Sequence, residues 1–282
     1  MKKCSMTSPV TIKSNAKINL ALRITERLDN GYHVISTLFQ EIDFHDDILF
    51  SESKTFHFSS NKKDLPVDST NLCVAAYEKI RPFRKKDNEY EIHLVKRIPA
   101  GAGLGGGSSN AAAVLKFLNE KWAVGFNEDR LEKLALELGC DVPFFIRGGT
   151  QGGDGLGEQL TLLDFPSHYV VLLVMPAIHI STAWAYKNFS LTNKKNRYKF
   201  ASLFNNDVIN WQLFENCFES VVFQSYPEIG KIKTKLLQEG AVYSGLSGSG
   251  STMVGIFEEK EKAMNAMGSF ENIPTHISLP AR

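Results

Sequence analysis

The first chemistry in this chain lies in the run Pro99-Ala100-Gly101-Ala102-Gly103-Leu104-Gly105-Gly106-Gly107-Ser108-Ser109. Glycine has no Cβ, so such a loop can turn through positive φ and bring backbone N–H groups close to a ligand. The stretch Asn110-Ala-Ala-Ala-Val-Leu-Lys-Phe-Leu that follows has helical composition, and Ala111, Val114, Leu115, Leu118 and Trp122 recur at helical spacing. Ser108, Ser109 or Asn110 is expected to cap that helix, whose unpaired N–H groups and positive dipole end then face whatever the loop encloses. Phosphate is the guest such an arrangement suits best.

Two phosphate motifs can be weighed against the loop. The Walker pattern fails because no lysine follows the last glycine. Gly101, Gly103 and Gly106 do satisfy G-x-G-x-x-G, but a dinucleotide site wants a second strand ending in an acid about 20 residues on. Here Asn127 to Leu138 reads as a helix instead, which disfavours an oxidoreductase. A glycine-rich surface loop without a ligand is the bland alternative, and it leaves the entropy cost of ordering so many glycines uncompensated.

Four further segments hold reactive or ligand-binding residue types. Lys17 and Asn19 stand two apart in Ser14-Asn-Ala-Lys-Ile-Asn-Leu, so a strand puts them on one face; a lone strand lysine is more often solvated. Asn30-Gly31-Tyr32-His33 places a ring and an imidazole just after a turn, suited to stacking on a base, though an ordinary turn with a partly buried tyrosine would read the same way. Asp141, in Leu138-Gly-Cys-Asp-Val-Pro-Phe, is one carboxylate in an apolar run at a helix exit, either a cap or salt-bridge partner or a base. Ser244-Gly-Leu-Ser-Gly-Ser-Gly-Ser-Thr252 is a second glycine loop.

These residues need elements to hold them. Val10 to Ser60 is strand-like, with Ile18, Leu20, Leu22 and Ile24 alternating and Asp29-Asn30-Gly31 as a turn. Asn71 to Ile80 reads as a helix behind the capping cluster Asp68, Ser69 and Thr70, and Tyr90 to Val95 as the strand entering the glycine loop. A helix from Glu128 to Leu138 is closed by Gly139. Glycines crowd the segment after Arg147, which suggests two domains, 1–150 and 151–282. The second is expected to hold strands at Tyr169–Val174, Thr252–Phe257 and Thr275–Leu279. Its helices are expected around Ile180–Tyr186, Trp211–Phe223 and Glu228–Gln238. Ser190 to Tyr198, with Lys194, Lys195 and Arg197, reads as a solvated loop. Strands grouped early and helices interleaved later give an α+β class.

Bulk properties narrow the partners. With 43% apolar and 22% charged residues the chain is an ordinary globular protein, and a net charge of +1 leaves no global field to recruit nucleic acid or an anionic membrane. Cys4, Cys73, Cys140 and Cys217 are widely spaced, without the pairs a structural zinc needs, and read as reduced thiols. The N-terminus lacks the apolar stretch of a signal peptide, so a cytoplasmic protein is expected.

Taken together, Ser14 to Leu20, Asp29 to His33, Pro99 to Ser109, Leu138 to Phe144 and Ser247-Gly-Ser-Gly250 resemble, in order and separation, the motif set of the GHMP kinase superfamily. The resemblance implies an N-terminal domain like the second domain of ribosomal protein S5 and a ferredoxin-like C-terminal domain. It implies ATP, with Mg²⁺ carried on it, as phosphoryl donor, and the 2-hydroxyl of a diphosphocytidyl methylerythritol as acceptor. A homoserine or mevalonate kinase is the alternative within the superfamily, and an RNA-binding relative of the S5 fold the alternative outside it. Carried over by position, Lys17 and Asp141 match the catalytic pair, and Pro99 to Ser109 the ATP phosphate loop. Asn19, Tyr32 and His33 match the acceptor side, with Tyr186 the aromatic that stacks on the base. Protein ligands of the Mg²⁺ are left open. A small-molecule substrate and a monomer or weak homodimer are expected, with no nucleic acid or membrane partner. Asn15 before Ala16-Lys17, Gly152-Gly-Asp-Gly and Ser251 depart from the usual pattern without removing a catalytic group.

Overall fold

A computed structural model describes residues 8–191 and 196–281. Cys4, Lys194 and Lys195 therefore lie outside the described residues. The chain forms two units, one of Met1–Ala16, His45–Pro99 and Gly106–Arg147, the other of Lys17–Phe44, Ala100–Gly105 and Gly148–Arg282. They interleave along the sequence rather than dividing once near residue 150, because the two long strands β1 (Val10–Arg27) and β2 (His33–Ser53) each run through both.

The first unit adds β3 (His57–Ser60), α1 (Leu72–Ile80), β4 (Glu89–Val95), α2 (Gly106–Lys121), α3 (Glu128–Leu136) and α4 (Phe144–Arg147). The second half of β2 lies antiparallel to β4, with Asp47 opposite Val95 and Ser53 opposite Glu89, and β3 runs parallel to β4 on its other side. The helical stripe expected on α2 is its buried face: Phe117 stacks on Phe50 of β2 at 3.7 Å, while Val114, Leu115 and Leu118 are buried. Trp122, just past α2, is fully buried and donates its indole N–H to the Asn88 carbonyl at 2.7 Å. The cap of α1 is Asn71 itself, whose side chain accepts from Cys73 N at 2.9 Å; Asp68 instead forms the turn before it, accepting from Thr70.

The second unit holds β5 (Thr150–Asp154), β6 (Gln159–Leu162), β7 (Val170–Val174), α5 (Thr182–Asn188), β8 (Phe204–Asn205) and β9 (Val208–Ile209). It continues with α6 (Glu219–Ser225), α7 (Pro227–Gln238), β10 (Tyr243–Leu246), β11 (Met253–Phe257), α8 (Lys260–Gly268) and β12 (Thr275–Ser278). Its antiparallel sheet has the order β10-β11-β7-β12. Taken with the intervening helices, that is the ferredoxin-like β-α-β-β-α-β plan. β7 reads as an unbroken apolar run because every one of its residues is buried.

Three expectations change here. Trp211 to Phe223 is not one helix: a 3₁₀ turn at Trp211–Leu213 and an irregular stretch precede α6, and Asn216 is spent on the carbonyls of Leu246 and Gly248 at 2.7 and 2.8 Å. Tyr198, expected in a solvated loop, is buried, with the Arg23 guanidinium 3.9 Å above its ring. The segment after Arg147, expected as the boundary between domains, holds strand β5, with Gly152 and Gly153 inside it. A Cβ on Gly152 would stand 2.5 Å from the Phe200 ring, and one on Gly153 2.8 Å from the Phe39 ring.

Candidate active site

The glycine loop has the backbone its composition predicts: Gly101, Gly103 and Gly105 take φ of +68°, +80° and +66°. Gly103 could be nothing else, since a Cβ there would lie 2.1 Å from the Ser247 carbonyl oxygen. The loop is tied to the second glycine turn and to β1. Ser247 Oγ donates to the Gly103 carbonyl at 2.9 Å, Thr252 N to the Ala102 carbonyl at 3.3 Å, and Lys17 N to the Leu104 carbonyl at 3.0 Å.

Lys17 and Asn19 share a face of β1 as the strand period requires, and both are buried. The Lys17 ammonium donates to Asn19 Oδ1 at 2.6 Å and stands 5.1 Å from the centre of the Phe39 ring. Asn19 in turn donates from Nδ2 to Thr37 Oγ1 at 2.8 Å and from its backbone N to Ser247 Oγ at 3.3 Å, and Thr37 donates to the Ala21 carbonyl. Lysine, asparagine, threonine and the Ser247 turn thus form one continuous network with the loop Ala100–Gly105. The sequence points to Lys17, Asn19 and both glycine turns; Thr37 carries no local signal and enters only because β1 and β2 pair.

On the acceptor side the structure brings His33 and Tyr186 together, their rings stacked at 5.0 Å with 25° between planes, and Tyr186 meets Phe218 edge-on. Burial, reinforced by the Arg27 charge, holds the His33 imidazole below its ordinary value, so it is neutral near pH 7. Tyr32 is 60% exposed at the turn.

The remaining residues belong to the other unit. α2 starts at Gly106, so Ser108, Ser109 and Asn110 sit inside the helix rather than at its cap, and Ser109 and Asn110 are turned to Ser14. A Cβ on Gly106 would fall 2.7 Å from the Lys96 ammonium, whereas Gly107 has ordinary space, with Leu72 at 3.6 Å. Pro99 precedes the loop, and Asp141 is half-buried in the turn between α3 and α4. Among the described residues no group of three or more His, Cys, Asp or Glu could hold a metal, and no helix is long and apolar enough to cross a membrane.

A glycine loop leading into a helix, in a chain that also carries a ferredoxin-like sheet, points to the class. The family described as GHMP kinases N terminal domain matches residues 71–149, and GHMP kinases C terminal matches residues 199–272. The fold also matches a homoserine kinase from Cytophaga hutchinsonii at a TM-score of 0.73, over 100% of this chain and 97% of that one at 19% identity. Within the class the similarity sharpens. A 4-diphosphocytidyl-2-C-methyl-D-erythritol kinase of Pelodictyon phaeoclathratiforme is 40% identical over 92% of both chains, and one of Chlorobium phaeovibrioides 40% over 96% of both. A crystal structure of 4-(cytidine 5'-diphospho)-2C-methyl-D-erythritol kinase superposes at a TM-score of 0.86, with 27% identity, over 97% of this chain and 100% of that one. The chain belongs to the 4-diphosphocytidyl-2-C-methyl-D-erythritol kinase family.

Proposed function

We propose that this chain transfers the γ-phosphoryl group of ATP to the 2-hydroxyl of 4-diphosphocytidyl-2-C-methyl-D-erythritol, releasing ADP. The observation that carries this reading is the hydrogen-bonded set of Lys17, Asn19, Ser247 and the loop Ala100–Gly105, in a chain 40% identical to kinases of that name.

Phosphoryl transfer asks for alignment and fixed charge more than for covalent chemistry. The loop Pro99 to Ser109 supplies N–H donors to the triphosphate, and a network already satisfied in the protein does not have to reorganise when charge builds up. The acceptor oxygen forms a bond to the γ-phosphorus as the bond from that phosphorus to the β–γ bridging oxygen breaks. In this reading Asp141 takes or orients the hydroxyl proton, and Lys17, held by Asn19, supplies positive charge. Tyr32, His33 and Tyr186 bind the cytidine end, with the neutral His33 able both to donate to and accept from a base edge.

Mg²⁺ would enter on the nucleotide, and the residues that would hold it are those that hold the phosphates, the loop Pro99 to Ser109, because this ion is usually bound through substrate phosphates. It would shield the charge of the triphosphate while bound.

The test is ³¹P NMR of the protein with Mg-ATP and each of three acceptors: the cytidine compound, homoserine and mevalonate. A new phosphomonoester resonance together with ADP, for the cytidine compound alone, is expected. Turnover of either control in its place would reassign the acceptor.

A further inference from the structure

Asp46 is the most completely enclosed charge in the first unit, with no exposed surface, and both of its oxygens are saturated. Oδ1 accepts the backbone N–H groups of Arg97 at 2.7 Å and Ile98 at 2.8 Å; Oδ2 accepts from the Lys96 ammonium at 2.6 Å and from Asn110 Nδ2 at 3.0 Å. Residues 96–98 are the chain on its way into the glycine loop, and Asn110 lies near the start of α2, on its way out. One carboxylate therefore grips both stems. The grip extends through Asn110 Nδ2 to Ser14 Oγ at 3.0 Å and from there to Ser109 Oγ at 2.7 Å, all three residues buried.

Stability alone is a poor account of this arrangement, because a buried ion pair costs about as much in desolvation as it returns, and apolar replacements of similar volume are often neutral or better. What the apolar replacement lacks is direction. Four hydrogen bonds to two oxygens fix the path of the entering strand relative to the helix start, and the Lys96 ammonium lies where Gly106 leaves no Cβ in its way. Burial pulls Lys96 below its ordinary value and Asp46 works against that pull, which keeps the ammonium dependent on its partner.

We propose that Asp46 is a positioning residue for the phosphate loop: by clamping the segment that enters the loop and the helix turn that leaves it, it fixes the loop's span before the nucleotide arrives. This rests on the reading of the loop as the ATP phosphate site.

The test is Asp46→Asn, which keeps the shape and removes the charge. The KM for ATP is expected to rise about tenfold, the factor that about 1.4 kcal/mol of lost loop positioning gives, while the KM for the acceptor stays within about twofold. Glu89→Gln is the control for mere loss of stability. Glu89 is another buried carboxylate of the same unit, held by Tyr77, Arg81 and Arg84 away from the loop, and its loss should lower the melting temperature without moving the KM for ATP. If Asp46→Asn does not fold, Ser14→Ala takes its place, with an expected two- to fourfold rise. An unchanged KM for ATP in the folded variant, or an equal rise in Glu89→Gln, overturns the clamp. If the unaltered enzyme binds ATP and Gly103→Ala does not, a failed clamp leaves the kinase reading standing; if the unaltered enzyme does not bind ATP, both fall.

Discussion

Replacing Gly103 with alanine tests the loop at the point where the structure leaves least room. At φ +80° a residue with a Cβ loses roughly 1–2 kcal/mol in the left-handed region. The new Cβ would also begin 2.1 Å from the Ser247 carbonyl oxygen. Two backbone segments would have to separate by about an ångström to restore contact distance, and Gly103 would then lose the Ser247 hydroxyl it now accepts at 2.9 Å. That bond contributes about 1 kcal/mol net, so the native loop becomes less favourable by about 2–3 kcal/mol. The loop can escape the strain by leaving its binding geometry. At about 1.4 kcal/mol per factor of ten, kcat/KM for ATP then falls by between about 30-fold and 140-fold. The assay is ADP release coupled to an indicator reaction at varied ATP, run beside thermal melts that establish folding. Gly107→Ala is the matched comparison, because that glycine is helical and its nearest neighbour would be an ordinary 3.6 Å away. Alanine in a helix is favoured by about 0.8 kcal/mol, so the midpoint should rise by about 2 °C. A folded Gly103→Ala enzyme with unchanged kcat/KM for ATP would refute the argument that this backbone geometry binds the phosphates.

Asp141→Asn is expected to retain ATP binding, measured with a fluorescent analogue, and to lose turnover by at least about 10²-fold, the usual share of a positioned base; retained turnover would remove Asp141 from that role. His33→Ala should raise the KM for the cytidine substrate far more than that for ATP, and equal effects on the two would deny it a base-reading role. In the unaltered enzyme the same imidazole sets a pH dependence. Its folded-state value lies below the unfolded 6.5, so its contribution to stability is present above 6.5 and is lost as the pH falls from there through the folded value. The KM for the cytidine substrate should accordingly be flat from about pH 8 to 7 and climb only in the acidic range, which a pH series of initial rates would reveal.

The glycine loop is legible in the sequence because positive φ leaves a compositional trace: Gly101, Gly103 and Gly105 are all left-handed. Lys17 and Asn19 are legible because a strand's period of two places them on one face, and they do meet. The helix start is misplaced by a few residues, since Ser108, Ser109 and Asn110 look like caps by type, yet two of them are occupied by Ser14. β5 escapes notice because Thr-Gln-Gly-Gly-Asp has poor strand propensity, and the rings of Phe39 and Phe200 occupy the space its glycines leave. Asp46 is silent for a different reason. Its partners Lys96 and Asn110 are 50 and 64 positions away, and no local pattern announces a contact made at that range.

The two long strands also set a schedule for the chain as it is made. The first half of β2 pairs with β5, Gln40 opposite Thr150, and Asp43 N donates to the carbonyl of Leu279 almost at the end of the sequence. A ribosome adding about 5–20 residues per second needs roughly 6–20 s to travel from Gln40 to Thr150, and longer still to reach Leu279. Throughout that interval an apolar strand waits with its hydrogen-bonding edge unpartnered, the condition under which nascent chains associate with one another. Yield in the cell is therefore expected to depend on chaperone supply and translation speed, and substitutions that leave the finished enzyme untouched but prolong the wait should lower the amount of soluble protein.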